Sequence, residues 1–277
     1  MKSKVFIIAA ALLLAACSSE QEETVNESDL VEVRFGFKFD LEIDEFTRTE
    51  LSAASSYLDV WVVCGDELYQ AHQAKTDDGF GTVSFTLHKN HTYTLYAVAH
   101  KGNGAASLNN GLISFVDNKI TDTFWYTTTF TPSTTTSISP SMSRIVGQFR
   151  METADAVPDD VKKMRFTITD AFTKWAVTGA GSTTANRTAT ITISSTNTDG
   201  TAAFNIYLLA SSTSANYDIL AEALSATDEV LYSHQFTGMP IQNNYKTIVR
   251  GDFFTDDPTS MTFSPLTEWD TFATINF

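Results

Sequence analysis

Two cysteines, five histidines and a few Asp-Gly steps are the residues of this chain that could do chemistry. Only one stands in a pattern with a defined outcome. Cys17 closes the run Leu14-Ala15-Ala16-Cys17, behind Lys2, Lys4 and the apolar stretch Val5 to Ala16. That stretch is too short to span a bilayer but has the length of a secretory h-region. An apolar residue, two small ones and a cysteine form the pattern of a bacterial lipoprotein signal. There the thiol is acylated, with palmitate-type chains among its lipids, and the cysteine becomes the new N-terminus. One acyl chain holds a protein only marginally, whereas several anchor it firmly. The sequence therefore predicts a mature protein tethered through Cys17 to membrane lipid, with residues 1–16 removed as a signal peptide.

The remaining candidates carry less. Cys64 is the only thiol besides Cys17, so the tethered chain is expected to hold no internal disulfide. Its place at the end of Val60-Trp61-Val62-Val63-Cys64 predicts a buried thiol acting as a small hydrophobe. His88 and His91 flank Lys89-Asn90, but two imidazoles without a third ligand make a poor metal site. Asp77-Asp78-Gly79 and Asp199-Gly200 lack the ligand series of a calcium loop and read as turns. The chain contains no Gly-rich phosphate loop and no G-x-S-x-G elbow. Carboxylate pairs able to hydrolyse glycosides arise by chance among 33 acidic residues and carry no weight. The expectation is a protein that is not an enzyme, with no catalytic residues, no metal and no cofactor.

The 33 acidic residues face 18 basic ones, a net charge of -15. Such a surface repels phosphate backbones and argues against nucleic acid as a partner. Glu20, Glu22, Glu23, Glu27 and Asp29 crowd the stretch after Cys17 with no basic residue among them. Residues 17–29 read as a solvated acidic tether, or as a sorting signal for surface export.

Elements able to position anything beyond the tether are almost all strands. Val31, Val33, Phe35, Phe37, Phe39, Leu41 and Ile43 alternate with polar residues, which predicts one long half-buried strand over 31–43. Further runs cover 57–64, 67–72, 82–87, 93–99, 124–130, 163–169, 188–193, 202–209, 217–223, 230–236 and 245–254, and the last is Trp269 to Phe277. Lys101 to Gly111 reads as a long loop. The Thr- and Ser-rich segment 127–143 reads as a linker or a strand. Helical periodicity is nearly absent. Short strands at this spacing predict an all-β protein of two tandem β-sandwiches, residues 30–140 and 141–277, the boundary near Pro140. The 20 Phe, 9 Tyr and 4 Trp supply their cores.

Several stretches resemble one family. Ser141-Met142-Ser143-Arg144-Ile145-Val146-Gly147, Val157-Pro158-Asp159-Asp160-Val161, Asn243-Asn244-Tyr245-Lys246-Thr247-Ile248-Val249-Arg250-Gly251 and the closing Trp269 to Phe277 occur in the order seen in the fimbrillin-like proteins of Bacteroidetes, the subunits and anchors of type V fimbriae. Each motif is loose, and their order carries the resemblance. It implies transthyretin-like Greek-key sandwiches of seven strands, an outer-membrane location and other fimbrial subunits as partners, with a host or bacterial surface ligand possible for an adhesive member. It also implies assembly by strand exchange, in which an N-terminal strand is cut away after an arginine and a neighbour's terminal strand takes its place. Main-chain hydrogen bonds then supply affinity, and alternate side chains set the register.

On that resemblance Trp269, Thr271, Ala273, Ile275 and Phe277 form the inserting face, unless the strand completes its own sandwich. Arg48, in the polar stretch Glu45 to Glu50, is the protease-cleavage candidate, whereas Arg34 lies inside the first strand. An anchor or minor subunit keeps its lipid. A stalk or tip subunit is released by cleavage after Arg48. A different reading, a surface glycan-binding lipoprotein, would use Trp125, Trp175 and the loop 101–111 as a sugar platform.

Overall fold

The computed structural model describes residues 29–39, 54–255 and 262–268. The described residues form two β-sandwiches, each with its own core. In the N-terminal one, β1 (Leu30–Gly36), β5 (Thr82–His88) and β10 (Thr136–Ile138) make one sheet, in the order β10-β1-β5. The facing sheet runs β2-β11-β9-β6-β3-β4, from β2 (Lys38–Phe39), β11 (Ser141–Arg144), β9 (Thr123–Phe130), β6 (Tyr93–His100), β3 (Tyr57–Cys64) and β4 (Glu67–Ala74). Alternation does the work locally. Val31, Val33 and Phe35 of β1 point inward onto Leu58, Val60 and Val62 of β3 and Leu95 and Ala97 of β6, while Glu32 and Arg34 stay outside.

The C-terminal sandwich repeats this plan. Its first sheet runs β15-β12-β18-β19, from β15 (Ala203–Leu209), β12 (Val146–Thr153), β18 (Tyr245–Gly251) and β19 (Thr262–Glu268). Its second runs β17-β16-β13, from β17 (Val230–Gln242), β16 (Ser214–Leu224) and β13 (Lys163–Ala176), with β14 (Ala180–Thr192) on the far side of β13. In both sandwiches the first strand lies between a later parallel strand and an antiparallel one: β1 between β10 and β5, β12 between β18 and β15. Two β-sandwiches in tandem are the fold class expected from the sequence. Phe149, Phe166, Phe204 and Phe236 pack the second core, with ring centroids 5.5 to 6.3 Å apart.

Several expectations are corrected. The single strand predicted over 31–43 is two, because the chain leaves the first sheet at Phe37 and joins the second as β2. Phe37 donates to Gly81 O and Lys38 to Pro140 O, so the backbone stays paired through the crossing. Segment 127–143 is no linker: it ends β9 and makes β10 and β11, which cross between sheets beside β1 and β2 in one unbroken register. Val33 faces Thr136, Phe35 faces Ile138, Lys38 faces Ser141 and Phe39 faces Met142. Residues 141–144 were expected to open the second sandwich, but β11 pairs with β2 and β9 of the first. The new sandwich begins after Ile145. The stretch 101–111 is not a plain loop, since it carries β7 (Ser107–Asn109), and the hairpin with β8 (Leu112–Ser114) pairs with β13. Cys64 is half-buried rather than buried, because it ends β3 beside the turn at Gly65.

Phe35 is fully buried and its ring meets those of Phe37, Phe85 and Phe130 at 5.4 to 6.3 Å. Phe35→Ala should cost about 3–5 kcal/mol of stability, read from denaturant unfolding. A loss under 1 kcal/mol would show that β1 does not anchor this core.

Candidate functional site: the inserted first strand and the junction

The predicted site residues Cys17 and Arg48 lie outside the described residues, as do Trp269, Thr271, Ala273, Ile275 and Phe277. β1 is an inserted strand, with seven residue pairs to β5 on one side and three to β10 on the other. Its continuation β2 lies beside β11. Lys89 donates to Asp29 O where β1 begins. The Phe39 and Phe124 rings meet at 4.0 Å at the far end. Withdrawing residues 30–39 would therefore open a slot bounded by β5, β10 and β11 and lined by the buried faces of β3, β6 and β9.

The equivalent strands of the C-terminal sandwich differ in one respect. There the last strand, β18, carries a further strand, β19, antiparallel on its outer edge. In the N-terminal sandwich β10 ends its sheet, and among the described residues no strand occupies that edge. β19 is irregularly held. Lys246 faces Thr267 and Ile248 faces Ser264, so Pro265 and Leu266 together oppose Thr247. Proline has no N–H to give to a ladder, and a bulge on an edge strand is where it fits.

The junction between the sandwiches is built from side chains that the sequence did not mark as a unit. Trp125 of β9 and Trp175 of β13 meet edge-to-face at 6.5 Å, and Tyr96 stacks on Trp125 at 5.9 Å. Both tryptophans are buried, at 8% and 2% exposure, in a cluster with Trp61, Val98, Ile113, Phe115, Ile120, Ile145, Val146 and Leu209. They cannot act as a sugar platform, and that expectation is withdrawn. They are anchors of a hydrophobic joint.

Arg144, at the last residue of β11, is the polar centre of this joint. Its Nε donates to Asp122 Oδ1 at 2.7 Å, one terminal nitrogen donates to Asn244 Oδ1 at 2.6 Å, and its guanidinium lies 4.9 Å above the Phe124 ring. Asp122 and Phe124 belong to the first sandwich and Asn244 to the turn before β18, so one side chain spans the two. Asn244 N–H also donates to Val146 O. Arg187 of β14 makes a second bridge, donating to Tyr207 O at 2.6 Å and Ile120 O at 3.1 Å. Burial pushes its guanidinium down to about 10. Gly147, just past the joint, permits a close approach: a Cβ there would sit 2.5 Å from Gln242 O. Arg144 thus does not open the second sandwich but links the two.

His88 and His91 have ring centroids 5.6 Å apart. Among the described residues no group of three or more His, Cys, Asp or Glu side chains is placed to hold a metal ion. A buried carboxylate, Asp59, was missed by sequence reasoning. Its one signal was an acid inside the apolar run Tyr57 to Cys64. No helix among the described residues is long and apolar enough to cross a membrane.

The model of a family of unknown function, DUF6562, matches residues 109–268, from the β7–β8 hairpin to the end of β19. The chain belongs to that family. No curated protein matches it. Solved structures share its fold. A candidate polysaccharide-binding protein of Bacteroides thetaiotaomicron aligns with TM-score 0.56 at 9% identity, over 86% of this chain and 98% of that one. A candidate adhesin of the same species aligns with TM-score 0.51 at 11% identity, over 87% and 98%. A candidate cell adhesion protein of Bacteroides ovatus gives TM-score 0.50 at 14% identity, over 86% and 97%. At these identities the likeness is one of fold.

Arg144→Ala should cost about 3–5 kcal/mol, because it strands the buried Asp122 carboxylate. The double variant Arg144→Met/Asp122→Leu should recover part of that loss. Equal denaturant midpoints for the two variants would mean the ion pair is not the strained element.

Proposed function

We propose that this chain is a structural component of a type V fimbria, retained at the outer membrane through acylated Cys17 as an anchor or minor subunit and joined to its neighbour by β-strand exchange. The carrying observation is the difference between the two sandwiches. β19 lies on the outer edge of β18, and the matching edge of β10 takes no strand among the described residues. A strand docking on β10 as β19 docks on β18 would extend the sheet by main-chain hydrogen bonds. The alternating segment Trp269, Thr271, Ala273, Ile275 and Phe277 directly follows β19 and is the natural donor to another subunit. The shared fold with candidate adhesins supports a place at the cell surface.

The test uses the chain in its own cells. Deleting residues 269–277 should leave the fold and membrane attachment intact and abolish recovery of neighbouring subunits with it. Unchanged co-purification with those subunits rules out the donor role of this segment.

A second reading is favoured by the inserted position of β1. Cleavage after Arg48 would remove both the lipid and residues 30–39, opening the slot between β5 and β10 for a neighbour's strand and giving a released stalk or tip subunit. The N-terminus of the protein from its cells separates the readings by mass spectrometry. An acylated Cys17 marks the retained anchor, and a terminus at Thr49 marks the released subunit.

A further inference from the structure

The buried carboxylate of Asp59 is the meeting point of three strands and of the segment that joins the sandwiches. Oδ1 accepts from His72 Nδ1 at 2.8 Å, and Oδ2 accepts from His100 Nε2 at 3.1 Å and from the Ala106 amide at 3.0 Å. The Gly102 amide donates to His100 Nδ1 at 3.0 Å. That bond places the proton of His100 on Nε2, because the other ring nitrogen must accept. A second proton on His100 would set two N–H groups against each other. The side chains of Asp59 and His100 are 3% and 0% exposed, but His72 keeps 43%. His72 is thus the member of the cluster that can exchange a proton with water without breaking a bond inside it.

Ala106 belongs to the strap between β6 and β9. The same strap carries β7 and β8, whose hairpin pairs with β13, and Ile120 and Asp122, which bond Arg187 and Arg144. Whatever holds Ala106 therefore holds the join. We propose that Asp59 and His72 form a pH-responsive clamp that tightens the strap, and with it the join between the sandwiches, when His72 takes up a proton. With His72 charged, the buried carboxylate has a cationic partner. With His72 neutral, it is held by neutral donors alone.

The surroundings favour this direction. The hydrogen bond with Asp59 raises His72 above its ordinary 6.5, against burial, and the charges of Asp59 and Asp77 add to it. For Asp59 burial pushes upward, but the bonds from His100, His72 and Ala106 outweigh it and hold the carboxyl below its ordinary 3.8. Asp59 faces the cluster from β3, His72 from β4 and His100 from β6, with Asp77 in the turn after β4. The rings packed on the imidazoles are Tyr57, 5.6 Å from each, and Phe115, 5.3 Å from His100. A raised imidazole contributes stability that is fully present below 6.5 and lost as pH rises through the folded value. A depressed carboxyl contributes stability that is lost only as pH falls below 3.8. The clamp is therefore tightest between these limits and loosens in alkali.

The test is NMR and hydrogen exchange on the whole chain. The Ala106 amide shift should titrate with the His72 ring, at a midpoint above 6.5. Amides of Leu108 and Ile113, corrected for intrinsic exchange chemistry, should exchange several-fold more slowly at pH 6 than at pH 8. His72→Gln should remove both effects, while His88→Gln and His91→Gln keep them. An Ala106 shift that stays flat through the His72 titration overturns the proposal in the unmodified protein, and so does an unchanged pH dependence in His72→Gln.

Discussion

Each sandwich is closed by a long-range parallel pair of strands, β1 with β10 and β12 with β18. The partners are far apart in sequence: Val33 faces Thr136, and Phe149 faces Thr247. No hairpin can supply such a pair, because parallel strands need a crossover between them. The chain entropy of that closure must be repaid by what the seam buries. In the N-terminal sandwich the repayment is concentrated in Val31, Val33 and Phe35.

The second constraint is that, among the described residues, the sandwiches are joined directly in sequence only at Ile145. A single residue would act as a hinge if nothing else crossed it. Three devices cross it. The β7–β8 hairpin leaves the first sandwich to pair with β13 of the second, the paired tryptophans fill the space beneath, and Arg144 and Arg187 satisfy polar groups that the joint would otherwise bury alone. The cost of burying cations is visible in Arg187, whose partners are two backbone carbonyls and whose guanidinium is pushed down to about 10. The result is a packed joint between the two sandwiches rather than a free hinge.

The division between what was readable and what was not follows the range of the forces. Period-two alternation located many of the strands and the all-β class, because facing in or out is decided residue by residue, but it missed β7, β8 and β19. The turns at Asp77-Asp78-Gly79 and Asp199-Gly200 were legible for the same reason: backbone preference there is local. The alternation over 31–43 was read as one strand, and it could not reveal that the chain changes sheets at Phe37. A side chain pointing into a core looks alike in either sheet. Trp125 and Trp175 were misjudged on similar grounds, since an aromatic residue on a strand is equally suited to a sugar face or to a buried joint.

The sequence by itself determined the all-β class, much of the strand pattern and the acidic excess, all of them properties of neighbouring residues or of composition. Only the tertiary structure decided which strands are neighbours, that β7 and β8 belong to the other sandwich, and that Asp59, His72 and His100 share one carboxylate. Those facts depend on contacts between segments tens of residues apart. Such contacts are selected by the packing of whole sheets against each other and leave no periodic trace in the chain.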